Sequence, residues 1–298
     1  MTCYLCHSDV VRFLTKNDYD LYRCSFCGLI ETDFKKDYEK FVVENYAKGY
    51  YTGDPRFSAY VSYREDRPLI VRNMKKFLAN IKKAKPQGRL LDVGCAMGYF
   101  VELALRAGYD AHGFDPSSYA IEHAKKELLN GRVTRGTVSS VSYPKKSFDA
   151  ISMFDVFEHL GDPKGDLVRI REWLADDGII IIATGDTKSA AAKLFGRKWT
   201  FYIPPQHLFF FNRTNLTRLL KETGFEPVAW SRVGKWLSLQ YVLHLARTTG
   251  ENTAARFLYD LVRLMHIGRI PLFVPMGDNM IVVARKSKDA VAPIAAGA

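Results

Sequence analysis

The stretch Leu90 to Phe100, "LLDVGCAMGYF", restricts the fold more than any other part of the chain. Arg89–Val93 reads as a short buried strand, and Tyr99–Arg106 as a helix ended by Gly108. A glycine-bearing loop joins them. Strand, glycine loop and helix in that order present backbone N–H groups to a bound cofactor at the head of a helix. The loop does not match a dinucleotide fingerprint: Gly94 fits the first glycine, but Ala96 and Tyr99 stand where the other two belong. The Gly-Lys-Ser/Thr of a phosphate-binding loop is also absent. Such a loop suits a ligand that approaches the backbone closely and has no pyrophosphate to wrap.

The next element supports this reading. Ala111–Phe114 is a short strand followed by Asp115, Pro116 and a helix from Ser117. Asp115 lies about twenty residues beyond the loop, where an acid can reach ribose hydroxyls. A carboxylate accepts from two hydroxyls at once. Strands near Val133, over Phe148–Phe154 and over Gly178–Thr184 alternate with helices, the pattern of a doubly wound parallel sheet. A helix after Thr214 runs to Gly224. "FEPVAW" and "NMIVVARK" follow as strands, separated by an insertion from Lys235 to Met276 about two helices long. Met74–Ala84 reads as an amphipathic helix ahead of the first core strand.

Four motifs in order, "LLDVGCAMGYF", "GFDPS", "FDAISMFDVFEHL" and "GIIIIATGD", resemble those of the class I S-adenosylmethionine-dependent methyltransferases over roughly Lys85 to Arg285. The resemblance implies a doubly wound, Rossmann-like, mostly parallel seven-stranded sheet. It implies that Gly94, Ala96 and Gly98 bend the loop around the methionine part of the cofactor, and that Asp92 orients the loop and the amino group. Asp115 takes the ribose, and Phe154 and Asp155 end the fourth strand beside the methionine. Ala96 replaces the commoner glycine, which a negative φ would tolerate. Relatives often place an acid after the third strand against the adenine amine. This chain reads "RGTVSSV" there, so backbone or a hydroxyl at Thr137 and Val138 must serve.

Four of the five cysteines form two pairs, Cys3-x2-Cys6 and Cys24-x2-Cys27, with seventeen residues between them. Two residues between thiolates let one turn aim both sulfurs at a metal, and two such turns complete a closed tetrahedron. The expectation is a zinc ribbon over residues 1–35, its metal structural because four thiolates leave no open position. His7 adjoins Cys6 and reads as a surface histidine. Residues 36–84 form a linker rich in tyrosine, including Tyr46, Tyr50, Tyr51, Tyr60 and Tyr63. They make either a cap over the cofactor or a helical connection packed on the domain. Residues 85–287 are the methyltransferase-like domain, with 235–276 as its insertion, and 288–298 a disordered tail.

Chemistry requires an acceptor aligned with a sulfonium methyl and often a base. Three residues are candidates. Glu158 and His159 follow the fourth strand at the carboxyl edge of the sheet, and His207 lies in the aromatic stretch "KWTFYIPPQHLFFF". This stretch resembles the subgroup that methylates sugars, quinones and other small acceptors. Some zinc-bearing sugar C-methyltransferases have a tyrosine three residues before the matching histidine. Pro204 stands there, which argues against carbon methylation by that route.

The chain of 298 residues carries a formal net charge of +11. That balance favours anionic partners, whether nucleic acid, a phosphorylated substrate or an acidic lipid surface. In the insertion, apolar residues recur at helical spacing with Arg247, Arg256, Arg263 and Arg269 among them. They form either a cap on the sheet or an interfacial surface that meets a lipid-linked, anionic acceptor at the membrane periphery. The start "MTCYLCHSDV" has neither the flank nor the apolar core of a signal peptide, and no run approaches ~18 apolar residues. The expected location is therefore cytoplasmic. Methyl transfer to a small or lipid-linked acceptor is the leading reading. The alternatives are an RNA methyltransferase that docks RNA through its ribbon and a non-catalytic zinc-dependent interaction module. The first would show salt-dependent RNA binding; the second, cofactor binding without turnover.

Overall fold

A computed structural model describes residues 1–54, 61–249 and 253–287. The tail expected over 288–298 and Tyr60 lie outside the described residues.

Three short strands open the chain: β1 (Val10–Lys16), β2 (Tyr19–Cys24) and β3 (Ile30–Thr32). The core sheet comprises β4 (Arg89–Val93), β5 (Asp110–Asp115), β6 (Val133–Arg135), β7 (Phe148–Phe154) and β8 (Leu174–Gly185). After the two-residue β9 (Phe209–Phe210) it is completed by β10 (Phe225–Ser238) and β11 (Pro271–Lys286). Its order is β10-β11-β8-β7-β4-β5-β6. The pairs among β4 to β8 are parallel, and β11 runs antiparallel to both β8 and β10. The expected mostly parallel, seven-stranded sheet is thus present. Its strands are apolar along their length because helices cover both faces. Ile180, Ile181, Ile182 and Ala183 of β8 are all fully buried.

The helix Tyr99–Arg106 turns Phe100, Val101 and Ala104 onto the sheet. The helix expected over Met74–Ala84 starts earlier, at Arg67, where Pro68 supplies a first-turn φ without losing a hydrogen bond. Short helices at Tyr38–Asn45 and Lys48–Thr52 precede it.

Two boundaries differ from the sequence reading. The insertion is not purely helical. Lys235, Trp236, Leu237 and Ser238 extend β10 and pair with Val274, Phe273, Leu272 and Pro271, so the last strand begins well before Asn279. The cross-strand contact between Trp236 and Phe273 (5.2 Å between centroids) stabilises this extension. Four alternating residues beside long helical patterns are too few to reveal it. Helices Leu239–Thr249 and Thr253–Leu264 sit at the tip of the hairpin.

The cysteine-bearing segment is also not self-contained. Its sheet has the order β1-β2-β3-β9, and the fourth strand comes from the far side of the core domain, with Ile30 opposite Phe210 and Glu31 opposite Phe209. Cys3, Leu5, Cys24 and Leu29 belong to the same apolar cluster as Phe157, Phe211 and Met280. No helix among the described residues is long and apolar enough to cross a membrane.

Candidate active site

The carboxyl edge of the parallel strands opens into one cavity of about 640 Å³, within the range of small-molecule sites. On one side lies the loop after β4. Gly94 has φ 69°, and a Cβ there would collide with Val156. Gly94 and Cys95 both donate their N–H to the Phe114 carbonyl, at 2.9 and 3.0 Å, which ties the loop to the end of β5. Ala96 departs from the expected negative φ. It sits at φ 47°, in the left-handed region. That conformation costs a non-glycine residue roughly 1–2 kcal/mol. Its N–H donates to Asp115 Oδ2 at 2.8 Å, a bond that helps to hold the strained turn.

Asp115 is the last residue of β5. Its other oxygen accepts from Ser117 N–H at 2.9 Å, and Tyr51 also bonds its side chain. Burial pushes its carboxyl up to about 6 against these stabilising bonds. These three bonds engage three of the carboxylate's four lone pairs, and the residue lines the cavity. Asp92 lies beneath the loop, off the cavity wall, and accepts from Ser152 Oγ at 2.7 Å; burial raises it to about 7. Gly98 caps the helix that follows and likewise does not line the cavity. Thr137 and Val138 line the far end. The Thr137 N–H is already donated to Ser140 Oγ at 2.8 Å.

Phe154 and Asp155 end β7 at the middle of the cavity. Phe154 stacks on Phe77 with centroids 4.3 Å apart. Asp155 accepts from Lys235 Nζ at 2.8 and 3.1 Å and from Asn279 Nδ2 at 2.6 Å. The sequence reading missed Lys235. It lies 80 residues away, and only the unforeseen extension of β10 brings it in.

The opposite side is assembled from distant segments. Tyr46, Tyr50, Tyr51 and Tyr63 line it, which favours the cap over the plain linker. Lys16 and Asn17, at the turn between β1 and β2, also reach it; Asn17 Nδ2 donates to the Pro204 carbonyl at 2.8 Å. His207 is 6% exposed, and its Nδ1 lies 2.7 Å from the Phe201 carbonyl. Only an Nδ1–H can satisfy that carbonyl, so the lone pair sits on Nε2. Burial, then the neighbouring His159, holds the imidazole well below its usual range. His159 places Nδ1 2.7 Å from the Gln206 carbonyl and 2.8 Å from Tyr46 Oη. Glu158 accepts from Thr184 Oγ1 at 2.7 Å through one oxygen, and its other oxygen is buried without a partner. Burial and then Asp155 raise its carboxyl to about 8. The structure therefore brings Glu158, His159 and His207 together on one wall.

The four paired cysteines converge as well. Cys3 and Cys27 Sγ are 3.6 Å apart, and Cys6 and Cys24 Sγ 3.4 Å. Tetrahedral zinc with Zn–S bonds near 2.3 Å would separate its sulfurs by about 3.8 Å. The donor set fits that ion. His7 is exposed and outside the cluster.

Known proteins agree with this architecture. The chain is 28% identical over 183 residues to a ubiquinone biosynthesis O-methyltransferase of Cereibacter sphaeroides, covering 54% of this chain and 74% of the relative. A protein of the same description from Dinoroseobacter shibae is 28% identical over 176 residues, covering 52% and 71%. Among solved structures, a SAM-dependent methyltransferase from Archaeoglobus fulgidus superposes with a TM-score of 0.52 at 19% identity, covering 80% of this chain and 99% of that one. One from Leishmania major gives 0.52 at 14% identity, covering 84% of each. These two show the fold. Residues 63–229, more than half of the chain and including every element of the glycine-loop side of the cavity from β4 to β8, match the model of the methyltransferase domain, and the chain belongs to that family as a S-adenosylmethionine-dependent methyltransferase.

Proposed function

We propose that the protein methylates a hydroxyl of a small acceptor of quinone-like or sugar type, with His207 as the base. The observation that carries this is the setting of His207: it is buried on the cavity wall, its Nδ1 is bonded to the Phe201 carbonyl so that Nε2 keeps the lone pair, and burial disfavours its charged form. The names of the relatives support oxygen as the methylated atom and a quinone-like ring as the acceptor.

S-adenosylmethionine supplies an electrophilic methyl group on a sulfonium. Asp115 would accept from the ribose hydroxyls, with Tyr51 giving up its bond to the carboxylate; Gly94 and Ala96 would shape the backbone around the methionine, and Phe154 and Asp155 would flank it. Thr137 and Val138 would face the adenine. The tyrosine wall excludes water from the acceptor. His207 Nε2 takes the hydroxyl proton as the oxygen becomes nucleophilic, and the Phe201 carbonyl stabilises the resulting imidazolium through Nδ1–H. Glu158 and His159 shape the wall behind it; a carboxyl raised to about 8 is mostly protonated at neutral pH and leaves the base role to the imidazole.

His207→Ala should leave cofactor affinity intact by calorimetry and lower kcat by roughly 10²–10⁴-fold. A raised KM with unchanged kcat would make His207 a positioning residue. Both parameters unchanged would reject the assignment.

Cys3, Cys6, Cys24 and Cys27 are proposed to hold one structural zinc. Metal analysis of protein purified without chelator should give one zinc per chain, absent in Cys24→Ser plus Cys27→Ser. Because β3 braces the segment that carries His207, zinc loss should depress turnover while cofactor binding survives.

A further inference from the structure

The tip of the β10–β11 hairpin carries an apolar stripe that is exposed among the described residues. In the helix Thr253–Leu264, Tyr259 and Val262 point inward and are buried, Tyr259 against His244 and Gln240 of the preceding helix. Phe257 (67% exposed), Leu261 (37%) and Leu264 (77%) recur at i, i+4 and i+7 on the outer side. Leu258 and Met265 widen the stripe to an arc of about 120° at 100° per residue. Ile270 and Phe273, both 46% exposed, continue it onto the start of β11. Arg256, Asp260 and Arg263 occupy the arc away from the stripe and are exposed. Beside it, Arg72 lies over Trp236, and Lys76 over Phe273. Arg269 is exposed and paired with Glu65.

We infer that this tip docks on an anionic lipid bilayer, with Phe257, Leu261 and Leu264 inserted between headgroups and the arginines of the helix's polar arc drawn toward the anionic surface. Charge decides the occupant. Residues 239–270, which make the tip, contain four arginines and two acidic residues in a chain of net charge +11, so a second copy would meet like charge. A helix with one broad apolar arc and a polar arc bearing arginines has the layout of an interfacial helix. Its position adds a reason for the contact. The preceding helix, Leu239–Thr249, presents Tyr241 and Leu245 to the cavity, and Val274 lines the same wall next to Phe273. One layer of helix therefore separates the bilayer from the acceptor side, so a lipophilic acceptor travels a short way. The docking itself does not depend on the acceptor assigned above.

Flotation of the full chain with vesicles tests this. Vesicles of phosphatidylcholine with 30 mol% phosphatidylglycerol should bind it, and pure phosphatidylcholine should bind it about tenfold less, with the difference shrinking at high salt. Phe257→Ser with Leu264→Ser should lower binding by about tenfold. Both residues are exposed, so S-adenosylmethionine affinity by calorimetry should not change; that control separates failure of docking from failure of the cofactor site. Arg256→Glu with Arg263→Glu should remove the preference for the anionic lipid. No vesicle binding, equal binding by the serine variant, or a self-association in lipid-free sedimentation that the serine variant abolishes would overturn the inference.

Discussion

The two sides of the cavity are built in opposite ways. The glycine-loop side comes from a continuous run, β4 to β7, in which helices join β4 to β5 and β5 to β6, while a loop without the expected helix joins β6 to β7. Its key bonds are local: Ala96 to Asp115 spans 19 residues, and Ser117 to Asp115 spans two. The His207 side is put together from the turn after β1, the tyrosine helices, the Phe201–His207 loop and the extended hairpin. There Asn17 bonds Pro204 across 187 residues, and Tyr46 meets His159 across 113. A general scaffold for the cofactor thus meets an acceptor wall that distant insertions can redesign without disturbing it. Changes on one side should then leave the other side's binding constants alone.

The sharpest way to break that separation is Asp115→Ala. Losing a charged acceptor should weaken S-adenosylmethionine by roughly 1.5–3 kcal/mol, about 10- to 150-fold by calorimetry. The acceptor KM at saturating cofactor should hold. A parallel rise in that KM would show that the sides are coupled.

Proton concentration should separate them next. Asp115 titrates near 6, and only its charged form accepts from both ribose hydroxyls. Cofactor affinity should fall about tenfold between pH 7 and pH 5, as the carboxylate is lost. His207 is competent when neutral, which is above its own pKa, and burial holds that pKa well below the usual 6.5. Turnover at saturating cofactor should therefore persist below pH 6.5. A kcat that halves near 6.5 would contradict the buried, neutral imidazole.

The smallest expected effect tests the brace. Thr32 Oγ1, on β3, donates to the His207 carbonyl at 2.8 Å in a buried setting. Thr32→Val should cost about 1 kcal/mol of acceptor-side alignment, about fivefold in kcat/KM, with cofactor affinity unchanged. An unaltered kcat/KM would make the cysteine-bearing segment a neighbour of the site and not part of it.

This division also explains what could be read in the sequence. The limits of β4 and of the helix Tyr99–Arg106 follow from apolar period and glycine punctuation, which are local signals. Asp115 follows from spacing. Cysteine pairs advertise themselves because metal ligation needs close spacing within each pair. Lys235 carries no such mark: its value lies in meeting Asp155, and nothing periodic encodes a meeting across 80 residues. The same holds for Asn17 and Thr32. Ala96 departs from its expected φ for another reason, since an alanine in the sequence hides a left-handed conformation that only its neighbours enforce.

The shared sheet of β3 and β9 has a consequence for how the chain is made. Thr32 leaves the ribosome 175 residues before the carbonyl of His207 that it will bond. At ordinary elongation rates of about 5–20 residues per second, that gap lasts roughly ten to thirty seconds. Throughout it the cysteine-bearing sheet has three strands and an open edge at Ile30–Thr32, the kind of edge that pairs with other chains. The cysteine-bearing segment is thus synthesised long before the strand that closes it. Ions captured by its thiols during that wait would hold its turns in place until Phe209 and Phe210 arrive to seal the edge.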